Sequence, residues 1–115
     1  MTVMGEAKVS VIVEGWRDSV PQPVYGCSPK MTFEVNVDDD AFWCVVLCDD
    51  SPMLVFGSSF RELLSRLKSV LRGVFEAEAR RWLKRYDKVR MKWWVMFEAE
   101  KIIEDEVTLY RGEVG

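Results

Sequence analysis

Residues 59–98 read SFRELLSRLKSVLRGVFEAEARRWLKRYDKVRMKWWVMFE, and within them a helical apolar period gives way to a strand period. Ser59 and Glu62 form the capping-box pattern, in which a hydroxyl and a carboxylate three residues on satisfy the free N–H groups of a helix start. From there Leu63, Leu64, Leu67, Val70, Leu71, Val74, Phe75 and Trp82 recur at helical spacing. The spacing predicts one long helix from Phe60 to about Arg85, loosening at Gly73. After Tyr86 the apolar period drops to two. Val89, Met91, Trp93, Val95 and Phe97 fall on one face of a strand, and Arg90, Lys92, Trp94, Met96 and Glu98 on the other. A helix over 91–110 is the competing reading, and the Trp-Trp-Val-Met-Phe run favours the strand.

Upstream, residues 7–14 alternate as a half-buried strand does, Ala7, Val9, Val11 and Val13 against Lys8, Ser10, Ile12 and Glu14. Gly15, Pro21, Pro23, Gly26 and Pro29 then predict a loop of about fifteen residues. Residues 31–37 alternate again, with Met31, Phe33, Val35 and Val37 inward. Asp38, Asp39 and Asp40 turn into Ala41–Cys48, which is apolar on both faces and so expected to be central and at least partly covered on both sides. Asp49 to Pro52 turn into a short strand, Met53–Phe56, ended by Gly57. Downstream, Asp105 and Glu106 are expected near a turn and Val107–Tyr110 as a last strand. The result is a single α+β domain over 1–115: an antiparallel sheet of about five to six strands with one long helix packed on one face, in the order β-β-β-β-α-β-β.

The length of 115 residues suits one domain, and 49% hydrophobic residues are enough for a sizeable core. No apolar run is long enough to span a membrane, and no basic segment leads into an apolar one as in a signal peptide. A cytoplasmic protein is the expectation. The chain has no histidine, which excludes Ser-His-Asp and Cys-His nucleophiles and the HExxH zinc site together. A non-catalytic protein without cofactor is therefore expected. Cys27, Cys44 and Cys48 are an odd number with no zinc-knuckle spacing, and reduced structural thiols are favoured over a metal or redox site. Cys27 has no basic neighbour to activate it. The acidic turns at Asp38–Asp40 and Asp49–Asp50 suit a divalent metal and hence a nuclease, but aspartate is also an ordinary turn residue, and that reading is preferred.

Charge is segregated along the chain. Residues 1–58 carry Lys8, Arg17 and Lys30 against nine acidic residues, residues 59–92 carry eleven basic against four acidic, and residues 93–115 carry two against six. The total of −3 thus hides a basic middle third. There Arg80, Arg81, Lys84, Arg85, Lys88, Arg90 and Lys92 interleave with Trp82, Tyr86, Trp93 and Trp94. Cations track phosphates and aromatic faces stack on unpaired bases, so single-stranded DNA or RNA is the leading partner. Trp94 and Tyr86 are the expected stacking residues. Each feature has a plainer explanation: a solvated helix face that suits the helix dipole, protection of an edge strand, or a Trp94 packed under a loop or in a dimer interface. Trp82 continues the apolar stripe and is expected in the core. A homodimer or another protein partner is a further possibility.

Two resemblances follow. The segment from Ala79 through Arg85 and Tyr86, then Lys88 to Trp94, resembles the small archaeal single-stranded DNA-binding proteins called ThermoDBP and their relatives. The likeness is one of layout over roughly residues 31–110, without a leucine-zipper tail. It implies an antiparallel sheet with helices, binding single strands in a cleft lined by aromatic and basic side chains, and a thermophilic source. Residues 31–72, with Met31-Thr32-Phe33-Glu34-Val35, the acidic turn into Ala41-Phe42-Trp43, and Gly57-Ser58-Ser59-Phe60-Arg61-Glu62, are similar to the HicB-like antitoxin domain. That likeness, which lacks the family's proline-glycine segment, implies a protein-interaction or antitoxin role.

Overall fold

The structure, a computed structural model, describes residues 2–25, 30–36, 41–48 and 51–112, and the side chains of all these except residues 2–6 and 33–36. The strands are β1 (Thr2–Arg17), β2 (Val20–Val24), β3 (Lys30–Asn36), β4 (Ala41–Cys48), β5 (Ser51–Gly57), β6 (Lys88–Phe97) and β7 (Glu100–Tyr110), with the helix α1 (Phe60–Trp82) between β5 and β6. All pairings are antiparallel, in the order β5-β4-β3-β1-β6-β7, and β2 also pairs with β1. This is the expected α+β layout, with one helix among the described residues, packed on one face of a curled sheet. The helix contacts strands near both edges, β5 and β7.

The described part of the segment expected to be a long loop is largely sheet. β1 runs 16 residues, and β2 occupies residues that the prolines had marked as irregular. Sixteen residues at about 3.3 Å each span roughly 53 Å, close to the longest dimension of the molecule, 55 Å. The first part of β1 pairs with β3 through Thr2–Ala7, and the rest pairs with β6 through Lys8–Trp16. β2 lies on the side of β1 opposite β6. Pro21 and Pro23 are tolerated there because β2 pairs on one side only.

Two tight turns escaped the sequence. Asp18 (φ 50°) and Ser19 (φ 67°) join β1 to β2, and Glu98 (φ 50°) and Ala99 (φ 65°) join β6 to β7. Both central residues are left-handed, as in a type I′ hairpin, yet neither pair is the Asn-Gly that normally marks one. Asp105 and Glu106, expected near a turn, sit inside β7, and residues 91–110 form a hairpin rather than a helix. The acidic turns Asp38–Asp40 and Asp49–Asp50, and Cys27, lie outside the described residues.

The helix begins as its cap dictates, with Ser59 Oγ accepting from Glu62 N at 3.1 Å. It runs unbroken through Gly73 and ends at Trp82, three residues short of the expected Arg85. Leu63, Leu67, Leu71, Phe75 and Ala79 form its buried stripe. They pack on Val9, Val13, Met31, Cys44, Val46 and Val55 and on Val89, Met91, Trp93, Val95, Ile103 and Val107. Phe75 and Trp93 lie at the centre of this core, their ring centroids 4.5 Å apart. Burial pushes the Cys44 thiol up to about 12, which suits a structural thiol rather than a nucleophile. β4 is fully covered on the helix side, at Cys44 and Val46, and partly covered on the other, where Ala41 and Trp43 are half-buried and Val45 and Leu47 exposed.

Candidate nucleic-acid interface

The outer face of the sheet, away from α1, is set by register. Trp16 on β1 lies opposite Lys88 on β6, which lies opposite Tyr110 on β7. Side chains in one such row share a face. The Lys88 ammonium accordingly sits 4.6 Å from the Trp16 ring centre and 5.4 Å from that of Tyr110. Pro21 of β2 extends the row beyond Trp16.

The next rows carry Glu14, Arg90 and Thr108, then Ile12, Lys92 and Glu106, then Ser10, Trp94 and Glu104. Arg90, Lys92, Trp94 and Met96 do face outward, as alternation predicts, and all are half-buried. The two cations are already engaged. Arg90 pairs diagonally with Glu106 at 3.0 Å and Lys92 with Glu104 at 3.4 Å. Glu106 holds the Arg90 guanidinium above its usual value. The Lys101 ammonium, hydrogen-bonded to Glu104, holds that carboxyl below the usual range, with Lys92 adding to the effect. The middle of the outer face is therefore close to electrically neutral.

Cationic excess collects instead at one end of the molecule. After Trp82 the last turn tightens: the N–H groups of Arg85 and Tyr86 both donate to the Trp82 carbonyl, at 2.9 and 3.1 Å. This brings Leu83, Arg85 and Tyr86 against β1 and the end of β7. The Asp87 N–H donates to the Trp16 carbonyl at 2.7 Å, Arg17 Nε to the Arg85 carbonyl at 2.8 Å, and Arg111 Nε to the Leu83 carbonyl at 3.0 Å. The Asp87 carboxylate accepts from the Asp18 N–H and from Arg111, and so clasps three segments together. Segments 16–18, 80–88 and 110–111 bring Arg17, Arg80, Arg81, Lys84, Arg85, Lys88 and Arg111 to this end, against Asp18 and Asp87. Arg81 and Lys84 are exposed and pair with no carboxylate among the described residues, while Arg80 reaches Glu76 only at 4.0 Å.

The aromatic side chains here differ in availability. The Tyr86 ring packs on Gly15, where an added Cβ would come within 2.5 Å of it, and carries the Arg17 guanidinium 4.8 Å above its centre. It is a structural ring, not an open stacking surface. Trp82 packs against the core with Arg85 over it at 5.7 Å. Tyr110 is 43% exposed and stands at the end of the outer row.

Of the residues named from sequence, Arg80, Arg81, Lys84, Arg85 and Lys88 come together. Arg90, Lys92 and Trp94 adjoin them along β6. Trp16, Arg17, Tyr110 and Arg111 were missed. A signal for two of them exists: Trp16 continues the alternation Ser10, Ile12, Glu14, and Tyr110 continues Glu104, Glu106, Thr108. Among the described residues no group of three or more acidic or cysteine side chains is arranged to hold a metal ion, and no helix is long and apolar enough to cross a membrane. No family model, curated protein or solved structure matches this chain.

Proposed function

We propose that this protein binds single-stranded nucleic acid, without catalysis and without a cofactor, through its basic end and the adjoining outer row. The observation that carries this reading is the row Trp16, Lys88 and Tyr110, which stands at the same end of the molecule as the exposed cations Arg81, Lys84 and Arg85. Phosphates would meet Arg80, Arg81, Lys84, Arg85 and Lys88. Bases would stack on Trp16 and Tyr110, and on Trp94 further along β6, in a sequence-tolerant way. Arg90 and Lys92 contribute less, because a phosphate must first displace Glu106 and Glu104.

The test is fluorescence anisotropy of labelled single-stranded DNA and RNA oligomers at two salt concentrations, with duplex DNA as control. The expected result is single-strand binding that weakens steeply with salt and quenches tryptophan emission. Absence of binding at low salt overturns the reading and makes the basic end a solvated surface.

A second reading, a protein-interaction module of the HicB-like kind, draws support from the exposed Val45, Leu47, Leu54 and Phe56 on β4 and β5. Recovery of a defined small basic partner, with indifference to nucleic acid, would favour it.

A further inference from the structure

Lys88 is held differently from the other cations of β6. Arg90 and Lys92 each reach a carboxylate, whereas Lys88 pairs with none among the described residues and lies over two rings, those of Trp16 and Tyr110. The register puts all three in one row, with Lys88 in the middle, so its ammonium is sandwiched between the rings. The ring centres lie no farther apart than 4.6 and 5.4 Å together, about 10 Å. Two inter-strand spacings of about 4.8 Å give the same separation. A flat group touching a ring on each side needs two contact distances of about 3.5–4 Å, so about 7–8 Å. Once the ammonium leaves, the gap is wide enough for one aromatic layer, and small rotations of the two rings close it. Pro21 of β2 stands beyond Trp16 in the same row, while Tyr110 lies on the edge strand β7 and is 43% exposed, which leaves the gap open to solvent.

We propose that Trp16 and Tyr110 form a slot for one unpaired base, and that the Lys88 ammonium is its displaceable resting occupant. The proposal rests on the reading of the protein as a single-strand binder and concerns how that one base is held. On binding, the ammonium swings out to the phosphate attached to the base, and the base takes its place between the rings. Both halves of this exchange are favourable. An ammonium over a partly exposed ring is weakly held, whereas its contact with a phosphate is a charge-assisted hydrogen bond. The base gains a ring on each of its faces, where a ring on an open surface offers contact to only one. Lys88 leaves the slot without leaving the site, and Arg81, Lys84 and Arg85 stand at the same end to meet neighbouring phosphates. The slot also favours single strands over duplex, because a base paired and stacked in a duplex must first be extruded before it can enter.

The test is fluorescence anisotropy of a short labelled oligothymidine over a range of salt concentrations, comparing the full-length wild type with Lys88→Ala. The variant loses one phosphate contact and leaves the slot empty. Its slope of log affinity against log salt is expected to fall by about 1. Extrapolated to about 1 M salt, where counterion release no longer contributes, it is expected to bind about 3–10-fold more tightly than the wild type, because no ammonium has to be moved from the rings. That gain is expected to vanish in the double variant Lys88→Ala, Trp16→Ala. A Lys88→Ala protein that binds more weakly at every salt concentration, the extrapolated one included, overturns the slot and leaves the single-strand reading standing. A gain that survives the loss of Trp16 also overturns it. A wild type that binds no oligomer at low salt overturns both. Should Lys88→Ala lose its circular dichroism spectrum, Lys88→Gln is judged by the same criteria.

Discussion

The Lys88 ammonium lies 4.6 Å from the centre of the Trp16 ring, although 71 positions separate them in the chain. The register between β1 and β6 makes them direct neighbours, and Tyr110 closes the row from the other side. A cation over an exposed ring contributes about 0.5–1 kcal/mol. The row is thus a modestly stabilised platform, the one on which the proposed binding mode would place a stacked base and a phosphate.

Replacing Trp16 or Tyr110 with alanine is therefore expected to weaken single-strand binding by about 1–3 kcal/mol each, the usual range for a stacked base. Trp94→Ala should weaken it without unfolding the domain. Lys84→Ala should reduce the slope of log affinity against log salt by about 1. Anisotropy titrations at several salt concentrations, with circular dichroism as the fold control, check all three. Unchanged affinity for the two row variants would remove the row from the interface.

In the proposed binding mode, the carboxylates of β7 that pair with Arg90 and Lys92 would compete with phosphate for them. Glu104→Gln with Glu106→Gln should tighten single-strand binding and extend its salt dependence, because two cations are released. An affinity equal to the wild type would show that the strand's middle takes no part.

The Glu104 carboxyl, lowered first by its hydrogen bond from Lys101 and then by Lys92, also sets a pH dependence. A carboxyl depressed in the folded state stabilises the fold above its unfolded value, about 4.3, and that contribution disappears as pH falls through the folded value. Lys101→Ala should move the Glu104 midpoint upward in a carbon-13 carboxyl titration, and by more than Lys92→Ala does. The reverse order would reassign the dominant partner.

Gly15 is required by Tyr86. A methyl group at 15 would lie 2.5 Å from the ring's Cγ, so Gly15→Ala must displace the ring and loosen the contact between β1 and the helix end. Overpacking of this kind costs about 1–3 kcal/mol, measurable as a lower midpoint in urea. A neutral result would mean that Tyr86 moves freely.

The β6–β7 turn should respond in the opposite direction. Glu98 and Ala99 hold positive φ without the residues that favour it. Left-handed backbone costs ordinary residues roughly 1–2 kcal/mol each, so Glu98→Asn with Ala99→Gly is expected to stabilise the domain by about 1 kcal/mol. Thermal unfolding reads this directly, and a lower melting temperature would contradict the turn geometry.

Short-range pattern alone specifies the helix and the alternating strands. The Ser59 cap acts on Glu62, three residues away, and the stripe from Leu63 to Ala79 is a repeat of one turn. The alternation from Val89 to Phe97 is equally local, and so is the crowding of positive charge between Arg80 and Lys92. What alternation could not supply was the partner of each strand. Gly15, Pro21 and Pro23 read as loop because a proline's missing donor is harmless only on a one-sided strand, and β2 is one-sided only once β1 has paired with β6 elsewhere. Glu98 and Ala99 carry no turn signature, so the hairpin is imposed by pairing on either side of them. The same register decided the site. It set Trp16 and Tyr110 around Lys88, gave Arg90 and Lys92 to Glu106 and Glu104, and folded Tyr86 onto Gly15. Helical and strand periodicity depend on neighbours within a few residues, whereas cross-strand partners are chosen by burying a common core, and only the tertiary structure contains that choice.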